Sequence, residues 1–195
     1  MGAARAYIRP LDPSIRTGQT EARQPSLCAM ESSARVPETT RIRPVRDSDS
    51  DGLIELLGTI WRSYPGIVFD VEAELPELKA LATAYERAGG AGWVAERGGW
   101  IVGCVGVAPS RTSGNWEILK LYVAADQRRQ GIARKLMDLA EGWARSRGAR
   151  AIELWTDTRF TEAHAFYRAL GYAQEGWRQL QDLSRTSEYR FHRSL

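Results

Sequence analysis

The chain has 195 residues, of which 43% are hydrophobic and 26% charged, with a formal net charge of +3. That length can bury one core, and the balance lacks the bias of a disordered, fibrous or strongly basic nucleic-acid-binding protein. Two separated cysteines, Cys28 and Cys104, and two histidines, His164 and His192, give neither a disulfide framework nor metal-ligand spacing, and no apolar run is long enough to span a bilayer.

Residues 1–38 carry scattered Arg, Pro, Ser and Thr without sustained periodicity, and they are expected to form a disordered extension ahead of a domain over 39–195. Their arginine bias resembles that of a transit peptide, but Asp12, Glu21 and Glu31 count against one, and Met30 is an alternative start. A short strand over 41–46 opens the domain. Asp47 or Ser48 is suited to cap a helix over 50–62 that buries Leu53, Ile54, Leu56, Leu57 and Ile60. Tyr64-Pro65-Gly66 breaks it. A second helix is read over 71–88, ended by Gly89-Gly90, with Pro76 either kinking it or marking its first turn.

Two strands, over 93–96 and 100–107, flank Gly98-Gly99 as a tight hairpin. A strand over 116–123 leads through a turn to a helix ending near Ser146. Its apolar residues Ile132, Leu136, Leu139, Ala140, Trp143 and Ala144 recur at helical spacing. A strand over 151–156, a helix over 161–170 stopped by Gly171, and closing strands over 172–176 and 188–192 complete the chain. The order βααβββαβαββ is that of a single α+β domain with a mixed sheet.

The most informative stretch is Arg128-Arg129-Gln130-Gly131-Ile132-Ala133, between a strand and a helix. A strand that turns at a glycine into a helix gathers unpaired backbone N–H groups at the positive end of the helix dipole, which suits a phosphate or pyrophosphate. The paired arginines add charge, and Gly131 and Ala133 leave room for a ligand near the backbone. The stretch lacks the glycines of a dinucleotide fingerprint and the Gly-Lys-Ser/Thr ending of a P-loop. It matches Arg/Gln-x-x-Gly-x-Gly/Ala. A second block, Ala163-His164-Ala165-Phe166-Tyr167-Arg168-Ala169-Leu170-Gly171-Tyr172, follows after the helix and one further strand. With these two blocks in this order and spacing, the chain resembles the GNAT superfamily of acyl-CoA-dependent N-acyltransferases over about residues 40–195.

The resemblance implies a mostly antiparallel sheet flanked by helices. It also implies acetyl-CoA as co-substrate, no metal, and transfer to a primary amine by direct attack in a ternary complex. The backbone of Arg128, Arg129, Gln130, Gly131, Ile132, Ala133 and Arg134 is expected to grip the coenzyme pyrophosphate. The N–H groups of Leu121 and Val123, where the strand splays from its neighbour, are expected to polarise the thioester carbonyl. Glu117, fourteen residues before Gly131, is the candidate base. A carboxylate beside an apolar strand is expected to have a raised pKa, and the competing reading is a salt-bridged strand-start glutamate. Tyr167 is the candidate acid toward the leaving thiolate, against the alternative of a packing aromatic. Trp61, Tyr64 and Phe69 are expected to shape the acceptor pocket.

The chain departs from the family pattern at Phe160, where many relatives carry a pantetheine-contacting asparagine. Asp157 and Arg159 are read as a local ion pair or as acceptor-orienting groups, and His164 as a packing residue. Glu72, Glu74 and Glu77 favour a cationic acceptor if they face the site. A non-catalytic acyl-CoA-binding sensor is the alternative, supported by Phe160 and opposed by Glu117 and Tyr167. The acceptor is a small-molecule or protein amine, with neither nucleic acid nor membrane as partner and a cytoplasmic location expected. Whether two copies pair as a homodimer through the closing strands is left open.

Overall fold

In a computed structural model, which describes residues 39–195, the β-favouring runs pair into one seven-stranded sheet. The strands are β1 (Arg41–Pro44), β2 (Ala91–Arg97), β3 (Trp100–Pro109), β4 (Asn115–Val123), β5 (Ala151–Asp157), β6 (Ala173–Gln179) and β7 (Ser187–Ser194), in the order β1-β2-β3-β4-β5-β7-β6. Neighbours are antiparallel except β4 and β5, which are parallel. The helices are α1 (Ser50–Arg62), α2 (Val71–Glu74), α3 (Leu81–Arg87), α4 (Ile132–Ser146) and α5 (Thr161–Ala169).

Successive side chains on a strand point to opposite faces, and here they feed two cores. Ala95, Val105, Ile118 and Leu154 pack with Leu136, Met137 and Ala140 of α4. Val94 and Cys104 pack with Leu53 and Leu57 of α1 and with Leu78 and Leu81 beyond it. Ile54 is only half-buried. On the first face, buried Glu141 of α4 accepts from the Tyr172 hydroxyl at 2.8 Å and pairs with Arg193 of β7, which fixes α4 against the far side of the sheet. Gly98 and Gly99, at φ of 57° and 81°, make the β2–β3 hairpin turn, where both central residues need the left-handed region.

Several local expectations change. The helix expected over 71–88 is three pieces: α2, a 3-10 turn Pro76–Ala80, and α3. Pro76 has no N–H to continue the ladder, and Leu75 before it has left the helical region at φ −143° and ψ 42°. Asp47 lies in a 3-10 turn, Asp47–Asp49, and does not cap α1, which starts without a side-chain cap. Its carboxylate instead accepts from the backbone N–H of Thr83 at 3.0 Å and from its hydroxyl at 2.5 Å, at the start of α3. Strand β1 ends at Pro44, short of the expected Arg46, while β6 and β7 run longer than the sequence pattern indicates. The extension expected over 1–38 lies outside the described residues. Among those described, no helix is long and apolar enough to cross a membrane.

Tyr85 of α3 lies flat over β2 and β3 because Gly92 and Gly106 have no side chains; a Cβ at Gly106 would stand 2.1 Å from the ring. Its buried hydroxyl has no hydrogen-bond partner among the described residues. Removing an unsatisfied buried hydroxyl relieves its desolvation cost, so Tyr85→Phe is expected to raise stability by about 1 kcal/mol. The readout is a higher urea midpoint at unchanged slope; a lower midpoint would show that the hydroxyl is satisfied.

Candidate active site

Strands β4 and β5 run side by side only from the Asn115–Ala151 pair to the Ile118–Leu154 pair. Beyond that point β5 keeps its register with β7 as far as Asp157. Strand β4 bends the other way through a bulge, since Tyr122 faces Cys104 and Leu119 faces Gly106, and Lys120 takes a φ of 50°. A V-shaped gap opens between the two strands. Ala124 N–H donates to Val102 O on the β3 side at 2.9 Å. By strand alternation, the N–H groups of Val123 and Leu121 therefore turn to the edge that β5 has left.

From the end of β4 the chain passes a 3-10 turn, Ala125–Gln127, and enters α4 through Arg128 to Gly131. Arg129 and Gly131 are both left-handed, at φ of 61° and 78°, and Arg128 is extended. Backbone of this kind turns successive N–H groups into an anion-binding nest. The N-cap of α4 is Gly131, no side chain caps the helix, and its first turn has no acidic residue. The orphan donors and the positive dipole end thus remain available to an anion. A Cβ at Gly131 would meet nothing within 4 Å, so the glycine serves its φ and the space above it is open. Arg128 is anchored to Glu162 of α5 at 2.6 Å.

Gap and nest share one cavity of about 740 Å³. Of the residues singled out in the sequence, Glu117, Leu121, Val123, Arg128, Arg129, Gly131, Ile132, Ala133, Arg134 and Tyr167 line it, with Trp61 and Tyr64 at the α1 side. Gln130 and Phe69 do not. The Gln130 side chain is turned to Arg97 at 2.8 Å. The Phe69 ring packs on Gly58, where a Cβ would lie 2.9 Å from it, and stands edge-on to Trp61 with centroids 5.7 Å apart. Glu72, one of the three glutamates over 72–77, is likewise outside and pairs with exposed Lys79.

Glu117 and Glu153 occupy one rung of the β4–β5 ladder and behave oppositely. Burial pushes the Glu117 carboxyl up to about 7, opposed by Arg178 and reinforced by Glu153 and Glu188. For Glu153, burial also disfavours the charge, but hydrogen bonds from Ser110, Arg190 and Asn115 outweigh it and hold the carboxyl below its usual range. Of the two, Glu117 is the carboxyl whose proton is held toward neutral pH. Tyr167 is 5% exposed, burial raises its hydroxyl above the usual phenol range, and no group among the described residues hydrogen-bonds it. It remains a protonated phenol with its donor unspent.

Four wall residues, Tyr122, Arg178, Asp182 and Glu188, carried no signal in the sequence. The Tyr122 hydroxyl accepts from Trp61 Nε1 at 3.1 Å. Phe160 meets Tyr64 edge-on with centroids 4.6 Å apart and Tyr122 at 6.4 Å, so the position of the usual asparagine here extends an aromatic wall. Arg178, Asp182 and Glu188 reach the cavity from the β6–β7 hairpin. Asp157 and Arg159 form a local ion pair at 2.6 Å. His164 is buried, bonded to Asp157 O at 2.9 Å and stacked on Phe191, which is a packing role.

The Glu117 shift has a stability consequence. A folded-state carboxyl at about 7 holds its proton more tightly than one at 4.5. The contribution from protonated Glu117 is full below about pH 4.5 and is lost as pH rises through about 7. The stability of the wild type relative to Glu117→Gln should therefore fall across that window, read from urea midpoints of both proteins at about pH 4.5 and about pH 8. A difference that stays flat or rises with pH contradicts the assignment.

Residues 53–172 match the model of the Acetyltransferase (GNAT) family. The chain is 36% identical over 140 residues to the uncharacterized N-acetyltransferase YjgM of Escherichia coli (strain K12), covering 70% of this chain and 83% of that protein. It is 31% identical over 127 residues to the IAA acetyltransferase of Azospirillum brasilense, covering 65% and 80%. N-acetyltransferase family 8 member 2 of Rattus norvegicus is 32% identical over 104 residues, 51% of this chain and 46% of that protein, so the match spans under half of that relative's length. Among solved structures, a GNAT-family acetyltransferase from Staphylococcus aureus Mu50 superposes with a TM-score of 0.70 at 22% identity, covering 80% of this chain and 99% of that one. The PaiA N-acetyltransferase of Thermoplasma acidophilum in complex with coenzyme A does so with a TM-score of 0.65 at 18% identity, covering 80% and 99%. The nest, the split strands and the family model agree: the chain belongs to the acetyltransferase (GNAT) family and is an acyltransferase.

Proposed function

We propose that the chain transfers an acetyl group from acetyl-CoA to the primary amine of an acceptor by direct attack, with both substrates bound together. The observation that carries this reading is one cavity joining the open edge of β4, the uncapped start of α4, Glu117 and Tyr167. The coenzyme A bound by the Thermoplasma protein of the same fold supports it. Acetyl-CoA supplies an acetyl group activated as a thioester. The backbone from Arg128 to Arg134 would hold the diphosphate through the nest and the helix end. The N–H groups of Leu121 and Val123 would meet the carbonyl oxygen, where negative charge develops.

Glu117, with a carboxyl near 7, is suited to take a proton from the incoming ammonium near neutral pH. Tyr167 can give its proton to the departing sulfur without carrying charge beforehand. Direct attack is favoured over a covalent relay because no cysteine among the described residues lines the cavity. Cys104 is buried in the α1-side core, burial pushes its thiol up to about 12, and it bonds Lys120 O at 3.1 Å. A non-catalytic acyl-CoA sensor would need neither Glu117 nor Tyr167.

In steady-state assays, kcat/KM is expected to rise with pH through an apparent pKa near 7, and Glu117→Gln to abolish that limb and lower kcat by about 10²–10⁴. Tyr167→Phe is expected to lower kcat about tenfold or more while the acetyl-CoA dissociation constant stays within about twofold. Wild-type kcat in both variants would remove the acid–base assignments. Coenzyme binding without turnover on any amine would favour the sensor.

A further inference from the structure

The α1 side of the cavity is walled by a corner of aromatic rings. Trp61 and Tyr64 come from α1 and the turn after it, Tyr122 from β4, and Phe160 from the start of α5. Tyr64 meets Phe160 with centroids 4.6 Å apart and planes at 61°, and Phe160 meets Tyr122 at 6.4 Å and 84°. Trp61 Nε1 donates to the Tyr122 hydroxyl at 3.1 Å, so these two polar tips are turned to each other. Phe69 braces Trp61 from outside the cavity, edge-on at 5.7 Å. All four wall rings are only half-buried, so each keeps apolar surface toward the chamber.

Apart from Glu117, the carboxylates on this side are engaged within the protein. Glu77 pairs with Lys120 at 2.5 Å, Glu188 with Arg178 at 2.6 Å, and Asp157 with Arg159 at 2.6 Å. Glu74 accepts from Leu183 N–H at 3.0 Å; Asp182 accepts from Thr186 N–H at 2.7 Å and acts on the Arg159 guanidinium. The apolar surface continues at the rim. Ile67 and Asp182 line the cavity, and the residues after them, Val68 and Leu183, are exposed on loops joined by Val68 N–H to Ser184 Oγ at 2.8 Å. Glu117 and Leu119 share one face of β4, and Leu119 packs with Tyr122 toward the α1-side core, so the carboxyl and the rings stand on one side of the sheet.

We infer that the acceptor is an arylalkylamine, its ring seated in the corner of Trp61, Tyr64, Tyr122 and Phe160 and its amine beside Glu117. The inference rests on the acetyltransferase reading above. A guest ring adds one more edge-to-face or offset partner to rings already packed that way, and a single polar anchor in an apolar pocket fixes its orientation. A small aliphatic amine would leave the apolar corner wet. A second ammonium would be desolvated against a wall whose carboxylates are already in use.

The test compares thiol release from acetyl-CoA by the full chain with phenethylamine, ethylamine and diaminopentane, alongside calorimetric titration with acetyl-CoA. Burial of the phenyl group is expected to make kcat/KM about tenfold or more higher for phenethylamine than for ethylamine or diaminopentane. The ratio of phenethylamine to ethylamine should fall toward unity in Tyr64→Ala and in Phe160→Asn, whereas a merely structural role would lower both amines together and keep the ratio. Phe160 is the N-cap of α5 and makes no side-chain cap bond, a position that asparagine suits, so that variant keeps its helix start. Equal kcat/KM for the two monoamines, preference for diaminopentane, or a ratio unchanged in both variants overturns the arylalkylamine inference and leaves the transferase reading standing. Acetyl-CoA binding without turnover of any of the three amines overturns the inference as well. Absence of both acetyl-CoA binding and turnover overturns the transferase reading, and the inference with it.

Discussion

A backbone N–H inside a sheet needs a partner, and β4 withholds that partner from two of its own. The parallel β4–β5 pair ends at Ile118, and from there the N–H groups of Leu121 and Val123 face a gap. Both arms of the gap are held from outside. On the β4 arm, the bulge at Lys120 is secured by its ion pair to Glu77 and by the Cys104 thiol on its carbonyl. On the β5 arm, seven consecutive residues pair with β7, and Arg190 reaches back to Glu153 at 2.5 Å. The strands therefore stay apart without a ligand to wedge them, and in the proposed reaction the donors would be in place before charge develops.

The same logic sets the start of α4. Helix ends are usually satisfied by caps, and here a left-handed glycine, a left-handed Arg129 and the lack of an acidic first turn leave the donors exposed at the cavity. What fixes this end in space lies elsewhere: Leu136, Met137 and Ala140 in the sheet core, and the buried Glu141 bonded to Tyr172 and Arg193. A buried charge is costly unless paired and hydrogen-bonded, and Glu141 is both. In the proposed reaction, anion binding at the nest and acid–base chemistry at Glu117 and Tyr167 would thus be served by different parts of one frame.

Local features were the legible ones. The Gly98-Gly99 turn, the 50–62 helix and the glycine turn into α4 at Gly131 each depend on a few adjacent residues, so the chain states them directly. The raised pKa expected of Glu117 followed from a carboxylate set in an apolar strand, and burial is its main cause in the fold. Long-range choices were not legible. Asp47 could cap the helix beside it, but it serves Thr83, which comes near only when the α1 and α3 segments pack. Pro76 admits a kink or a start, and the fold takes a break into a 3-10 turn. Phe69 looked like a pocket residue by its neighbours, yet Gly58 provides a seat for its ring off the cavity. Arg178, Asp182 and Glu188 carry no motif. They enter the cavity only because β7 inserts between β5 and β6 and swings the hairpin loop to its α1 side.

The central claim is that the turn into α4 is an anion cradle for an acyl-coenzyme. It is tested most directly by calorimetric titration of acetyl-CoA and free coenzyme A into the wild type and Gly131→Glu. The space over Gly131 is empty of protein, so the new side chain meets the ligand site and not the core, and a retained cooperative melt checks the strain of its positive φ. Micromolar binding of both ligands by the wild type, lost in a folded Gly131→Glu, is the predicted result. A wild type that binds neither ligand, or a variant that binds as well as the wild type, would contradict the account.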